Sequence, residues 1–181
     1  MRITVSGLPG SGTTSLSRYL AQRHNFTMIS AGEVFRECAQ KHNMELAEFG
    51  RLAEQDPTFD KMIDVRQKEI AEERDNIIVE GRLSGWMVEK ADLKIWLFAP
   101  INCRIDRIVY RDQIADDETA KKITIERERC EAGRYSAYYN IDINDLSIYH
   151  IILNSEHWGV EDLGTIVDTA IGQLTSHDKV Q

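Results

Sequence analysis

Residues 3–15 read Ile3-Thr4-Val5-Ser6-Gly7-Leu8-Pro9-Gly10-Ser11-Gly12-Thr13-Thr14-Ser15, and this stretch decides the fold. A β-branched run passes into a glycine-rich turn, and a helical pattern starts at once with Leu16, Tyr19 and Leu20. Continuous apolar runs of that kind suit strands buried on both faces. Glycine lets the backbone wrap closely around an anion with its N–H groups pointing inward. A helix beginning near Thr13 adds its positive N-terminal end to the same place. The unit is a strand, a turn built for phosphate, and a helix.

The rest of the chain repeats the strand signal. Thr27-Met28-Ile29, Ile77-Ile78-Val79, Ile95-Trp96-Leu97-Phe98 and Ile151-Ile152-Leu153 are short apolar runs. Between them lie stripes of helical period: Val34, Phe35, Cys38 and Ala39; Leu46, Phe49 and Ala53; Phe59, Met62, Ile63 and Ile70; Ile101, Ile105, Ile108 and Val109; and Val160 through Leu174. Strands alternating with helices predict an α/β fold with a parallel sheet. The 181 residues favour one domain, spanning 1–181. Hydrophobic residues at 42% and charged residues at 29% are the balance of a soluble globular protein. The net charge of −8 argues against broad nucleic-acid or membrane-surface binding. Cys38, Cys103 and Cys130 are far apart, odd in number and without metal-ligand spacing, so reduced thiols in a cytoplasmic protein are expected. No apolar stretch approaches the ~20 residues that span a bilayer.

The opening turn fits the P-loop pattern G-x-x-x-x-G-K-[ST] at Gly7, Gly12 and Thr14. On this pattern Gly7, Leu8, Pro9, Gly10, Ser11, Gly12, Thr13, Thr14 and Ser15 bind the phosphates of ATP, and the Thr14 hydroxyl meets Mg²⁺. Thr13 departs from it by occupying the lysine position. Lysine ordinarily offers a cation to the β- and γ-phosphates. Another cation therefore replaces it, or the protein binds nucleotide without efficient transfer. Arg127, Arg129 and Arg134 are the candidates for the transferring phosphoryl group, with Thr13 counted beside them as a catalytic position.

Two further segments point to a second phosphate. Ser30 closes the second strand and Arg36 follows on the next helix; a guanidinium fork grips phosphate well. The third strand ends in Glu80-Gly81-Arg82, and ligands of open α/β sheets bind at the carboxyl ends of strands. Glu80 is expected to order a water on Mg²⁺, and Arg82 to meet the acceptor phosphate. The charge-rich stretch of about 111–134 reads as a weakly packed helix pair, the composition of a mobile lid. Arg104, Arg107 and Arg111 share a helical face before it, and Arg107 or Arg111 is placed to stack on the nucleotide base.

Taken together, GLPGSGTTS, ISAGEVFRE, IIVEGRLSGWMVEKADLKIWLFAP, RIDRIVYRD and RYSAYYNIDINDLSIY resemble the archaeal type of cytidylate kinase, a P-loop nucleoside monophosphate kinase. The likeness runs over nearly the whole chain, with EGRLSGWMV and YNIDINDLSIY its most discriminating segments. It implies a three-layer sandwich with a five-stranded parallel sheet and helices on both faces, a monophosphate-binding insertion at about 31–75, and the lid. It also implies transfer of the γ-phosphoryl of ATP to CMP or dCMP with Mg²⁺, in pyrimidine nucleotide metabolism, by a monomer. Gly7 to Ser15 would then bind ATP, Ser30, Arg36 and Arg82 would hold CMP, and Arg107, Arg127, Arg129 and Arg134 would serve the phosphates or the lid. Cytosine offers an amino donor and ring acceptors, for which Asp60, Asp64 and Asp142 are candidate partners. Two other readings stay open: a kinase for AMP or UMP on the same scaffold, and a nucleotide-binding regulatory module of weak activity.

Overall fold

Strand register is what assembles the site. The computed structural model describes residues 1–56 and 58–177. In chain order the elements are β1 (Arg2–Gly7), α1 (Thr13–His24), β2 (Thr27–Ser30), α2 (Ala31–Lys41), α3 (Leu46–Gln55), α4 (Thr58–Glu73), β3 (Ile77–Glu80), α5 (Ser84–Met87), β4 (Leu93–Phe98), α6 (Ile101–Asp112), α7 (Asp117–Tyr139), β5 (Ile151–Asn154) and α8 (Val160–His177). The five strands form one sheet in the order β2-β3-β1-β4-β5. Every pairing is parallel. All five apolar runs of the sequence are strands of this sheet; the inner strands β1, β3 and β4 are largely buried on both faces, whereas the edge strands β2 and β5 are only partly covered, with Ile152 of β5 exposed.

Alternation along each strand splits the core in two. Ile3, Val5, Ile78, Ile95 and Leu97 face Leu16, Leu20, Leu163 and Val167 of α1 and α8. Their neighbours face the other way: Ile77 and Val79 pack on Ala71, and Trp96 packs with Leu83, Ile143 and Tyr149. Successive side chains of a strand point to opposite faces, so helices cover both sides and three layers result. Leu16 and Leu20 are fully buried, and truncating either to alanine should cost about 2–5 kcal/mol.

β1 lies between β3 and β4, where the chain first crosses from one half of the sheet to the other. The crevice outside the strand ends at such a switch point is where ligands bind. Register sets Ser30 opposite Glu80 and Val5 opposite Glu80, so the ends of β2, β3 and β1 stand level. Three helices, α2, α3 and α4, fill the segment between β2 and β3. Phe49 pins them: it is fully buried, with Phe35 and Phe59 rings edge-on at 5.0 and 5.1 Å.

The charge-rich stretch 111–134 comprises the end of α6, a turn and most of α7. The 23-residue α7 starts at a proper cap, where Asp116 accepts from the Thr119 amide at 2.8 Å, with Asp117 and Glu118 in its first turn. It continues five residues beyond Arg134, to Tyr139. No helix of the described residues is long and apolar enough to cross a membrane.

Candidate active site

The turn between β1 and α1 is held from outside by its carbonyl groups. Arg104 donates to Pro9 O at 3.0 Å, Arg107 to Gly10 O at 3.2 Å, and Ser155 Oγ to Ser11 O at 2.7 Å. Ser11 returns its amide to Leu8 O at 3.1 Å and its hydroxyl to the same oxygen at 2.7 Å. Three successive carbonyls are thus engaged by side chains from outside the turn, the arrangement in which neighbouring amides can converge on an anion. Gly10 and Gly12 make this possible at φ +82° and +92°, a region other residues rarely enter. A Cβ on Gly10 would also lie 2.6 Å from Arg104 O. The following helix has no side-chain cap and no acidic residue in its first turn. Its amides and its dipole are therefore left for an anion.

At the end of β3, Glu80 ties three segments together. Its Oε1 accepts from Thr13 Oγ1 at 2.6 Å, and its Oε2 accepts from Ser30 Oγ. Its own carbonyl accepts from Gln67 of α4 at 3.2 Å. Ser30 also caps α2, accepting from the Glu33 amide at 3.3 Å. The Arg36 guanidinium folds back over Gly32, where a Cβ would sit 3.5 Å from it.

Opposite them α7 delivers an arginine cluster built on a buried carboxylate. Glu131 forms ion pairs with Arg82 and, at 2.7 Å, with Arg127. Arg134 is buried on the same helix face. Burial alone would raise the Glu131 carboxyl; the charges of Arg82, Arg127 and Arg134 and the bond from Arg127 overcome that and hold it below the ordinary value. In return, Glu131 pushes the Arg127 guanidinium up.

One cleft joins these parts. Gly7, Leu8, Pro9, Gly10, Thr13, Thr14, Arg36, Asp64, Glu80, Arg82, Arg111, Arg127, Glu131 and Arg134 all line it. A second cleft continues over the outer side of the turn, lined by Gly10 to Leu16, Arg107, Tyr110, Arg111, Ser155 and Trp158. Most of the residues picked out in the sequence thus meet. Ser30 is buried behind Glu80. Two residues stand apart. Arg129 is exposed and forks onto Glu126 of its own helix at 2.7 Å, and Asp142 accepts from Asn144 in a local turn at 2.9 Å. Neither lines either cleft. The side chain of Asp60 lies outside the described residues. Arg104, Arg107 and Arg111 do follow one another along α6. Arg104 and Arg107 buttress the glycine-rich turn, while Arg111 forks onto Asp112 at 2.6 and 2.7 Å.

Glu131 and Ser155 are functional neighbours with little sequence signal. A glutamate inside a charged run reads as solvated, and only the fold brings Arg82 to it. Ser155 directly follows the last strand, so the strand-end rule could have marked it.

Residues 2–157 match the model of the cytidylate kinase-like family. The chain belongs to this family. It is 81% identical over 174 residues to the cytidylate kinase of Methanoregula boonei, covering 96% of both chains. It is 62% identical to that of Methanosphaerula palustris, covering 96% of this chain and 99% of the relative. Among solved structures it resembles a shikimate kinase from Bacteroides thetaiotaomicron, with TM-score 0.66 at 15% identity and coverage of 95% and 98%. A gluconokinase from Sinorhizobium meliloti gives TM-score 0.61 at 12% identity, with coverage of 99% and 96%. At such identities the likeness concerns the fold, the α/β arrangement of P-loop kinases. Family membership gives the cleft its context: a phosphate turn on one wall and paired arginines on the other are the parts a kinase needs for two anionic substrates.

Proposed function

We infer that this protein transfers the γ-phosphoryl group of ATP to CMP or dCMP, giving ADP and CDP or dCDP. The observation that carries this reading is the joining, in one cleft, of the amide-lined turn and the Arg82–Glu131–Arg127 cluster with Arg134, in a chain whose full-length relatives are named cytidylate kinases. ATP lies along Gly7 to Ser15, with its base toward Arg107 and Arg111. The monophosphate lies toward Arg36 and Arg82, in an insertion spanning about 31–75. The stretch of about 111–134 serves as the lid. Phosphoryl transfer asks little covalent work of a protein; position and charge supply the catalysis. Arg127 and Arg134 take the place that lysine fills elsewhere, meeting the charge that gathers on the transferring group.

Mg²⁺ fits the donor set. A cation that arrives on nucleotide phosphates keeps most of its waters and needs few protein ligands. Thr14 would give it a hydroxyl, and Glu80 would hold it through a water, since each Glu80 oxygen has a second lone pair beyond those used by Thr13 and Ser30. Bound there, Mg²⁺ would neutralise charge on the β- and γ-oxygens.

For the base, Asp64 is the reader of choice. It is buried at the cleft wall and fixed by the Tyr139 hydroxyl at 2.6 Å. A carboxylate accepts from the cytosine amino group and faces an unfavourable carbonyl in uracil. The same reading puts the protein in the cytoplasm, in pyrimidine nucleotide metabolism, as a monomer without nucleic-acid or membrane partners. The cysteines Cys38, Cys103 and Cys130, which form no disulfide, and the net charge of −8 support it. The test is turnover of Mg·ATP with CMP, dCMP, UMP and AMP, read as ADP release. CMP preference is the expected result; AMP preference, or binding of ATP with no turnover on any acceptor, overturns the reading.

A further inference from the structure

Thr13 stands where a P-loop lysine would, yet its hydroxyl does not turn toward the amide-lined hollow. It donates to Glu80 Oε1 at 2.6 Å. The other oxygen of that carboxylate takes the hydroxyl of Ser30, the cap of α2. Little freedom is left to Glu80 itself. It ends a central strand with a register partner on each side, Val5 and Ser30. Gln67 holds its carbonyl at 3.2 Å, and Gly81 behind it has no room for a side chain, since a Cβ there would meet Ala31 at 2.7 Å. The first residue of the donor helix and the cap of the acceptor-side helix are thus fastened to the two oxygens of one rigidly placed carboxylate.

We propose that the side chain of Thr13 has a positioning role: its hydroxyl holds Glu80 rather than the nucleotide phosphates, which meet the backbone amides alone, and through Glu80 and Ser30 it sets the donor turn against the acceptor helix α2, which carries Arg36. Two consequences follow from the chemistry. A short hydroxyl suits a carboxylate 2.6 Å away, whereas an ammonium at this position would be drawn into an ion pair with Glu80. Position 13 is therefore no vacancy awaiting a cation, and restoring lysine does not restore a missing phosphate contact. The positive charge comes instead from the arginines across the cleft. Because the link joins two substrate sites, its loss falls on their relative placement. A 1 Å misplacement of reacting groups costs on the order of 100-fold in rate, while binding of either substrate alone is largely kept.

This inference rests on the kinase reading for its kinetic arm only, so ATP affinity is measured directly by calorimetry alongside turnover of Mg·ATP with CMP. The variants are T13V, which keeps the shape and loses the hydroxyl; T13S, which keeps the hydroxyl; T13K; and S30A alone and combined with T13V. T13V is expected to bind ATP within about twofold of the parent, to lose at least tenfold in kcat, and to melt cooperatively. T13S should recover most of that turnover, and T13K should recover none. T13V and S30A should be strongly non-additive in kcat, because both act on one carboxylate. The proposal is overturned if T13V weakens ATP binding tenfold or more, which makes the Thr13 hydroxyl a phosphate ligand. It is equally overturned if T13K raises turnover above the parent, or if the losses of T13V and S30A simply add. Absence of CMP turnover in the parent protein would instead defeat the functional reading, and the ATP affinities of T13V and T13K would still decide whether the Thr13 hydroxyl touches phosphate.

Discussion

Glu131 is buried among Arg82, Arg127 and Arg134, and its carboxylate is what keeps the arginines together before any phosphate arrives. Breaking a buried ion pair on one side leaves uncompensated charge and costs about 3–5 kcal/mol, so E131Q should lower stability by that order at neutral pH. The sign of the pH dependence follows from the lowered carboxyl. Its stabilisation is fully present above the ordinary glutamate value of 4.5 and is lost as pH falls through the lower folded value. Urea unfolding of both proteins should therefore show a gap that is constant above pH 4.5 and closes in more acidic solution. A gap that widened on acidification would contradict this. For catalysis, the cluster separates arginines that sequence alone could not. R127A should lose about 10²–10³-fold in kcat, the scale of one removed transition-state donor. R129A should stay within about twofold, since exposed pairs such as Arg129–Glu126 contribute little. Steady-state turnover of the two variants is the check. The carboxylate that organises this cluster was invisible in the sequence, where Glu131 sits in a run of charges and its partner Arg82 is far away along the chain.

Among the elements, α7 carries the most of the proposed chemistry, and its start is its least covered part. Residues 115–119 at its start are exposed, whereas Ala120, Thr124, Glu131 and Arg134 are buried. The Ile105, Ile108 and Ala120 cluster anchors it to α6, and Tyr139 ties its far end to Asp64. A helix held at one face and both ends of its hairpin, with an open tip, is suited to swing as a cover. Hydrogen exchange should be fast at 113–119 in the free protein and slow markedly when ATP analogue and CMP are both bound. Equal exchange in the two states would remove the lid from the account. The inner strands β1, β3 and β4 were legible because strands buried on both faces write themselves as continuous apolar runs, and the glycine-rich turn because its glycines have a geometric duty. The division of 111–134 was less so: charge patterning gave a surface helical region, but the ends of the two helices are set by local caps that the charges hide, with left-handed Gln113 closing α6, Asp116 opening α7 and left-handed Asn140 closing it. The short helix α5 had no signal at all, being set by Ser84 binding Ser6 at 2.9 Å across the sheet.

At the scale of the molecule, an acidic chain of net charge −8 concentrates Arg36, Arg82, Arg111, Arg127 and Arg134 in one cleft. A field of that shape favours small anions at the strand ends. The sheet order makes this economical. With β1 central, its turn faces the ends of β3 and β2 on one side and the segment after β5 on the other. Every part of the account presupposes that the backbone of that turn receives phosphate. The most direct test is titration of ¹⁵N-labelled protein with ATP, followed residue by residue. The amides of Gly10, Gly12, Thr13 and Thr14 should show the largest shifts, saturating together at one affinity. Saturable ATP binding that leaves those amides unmoved, or no binding at all, would contradict it.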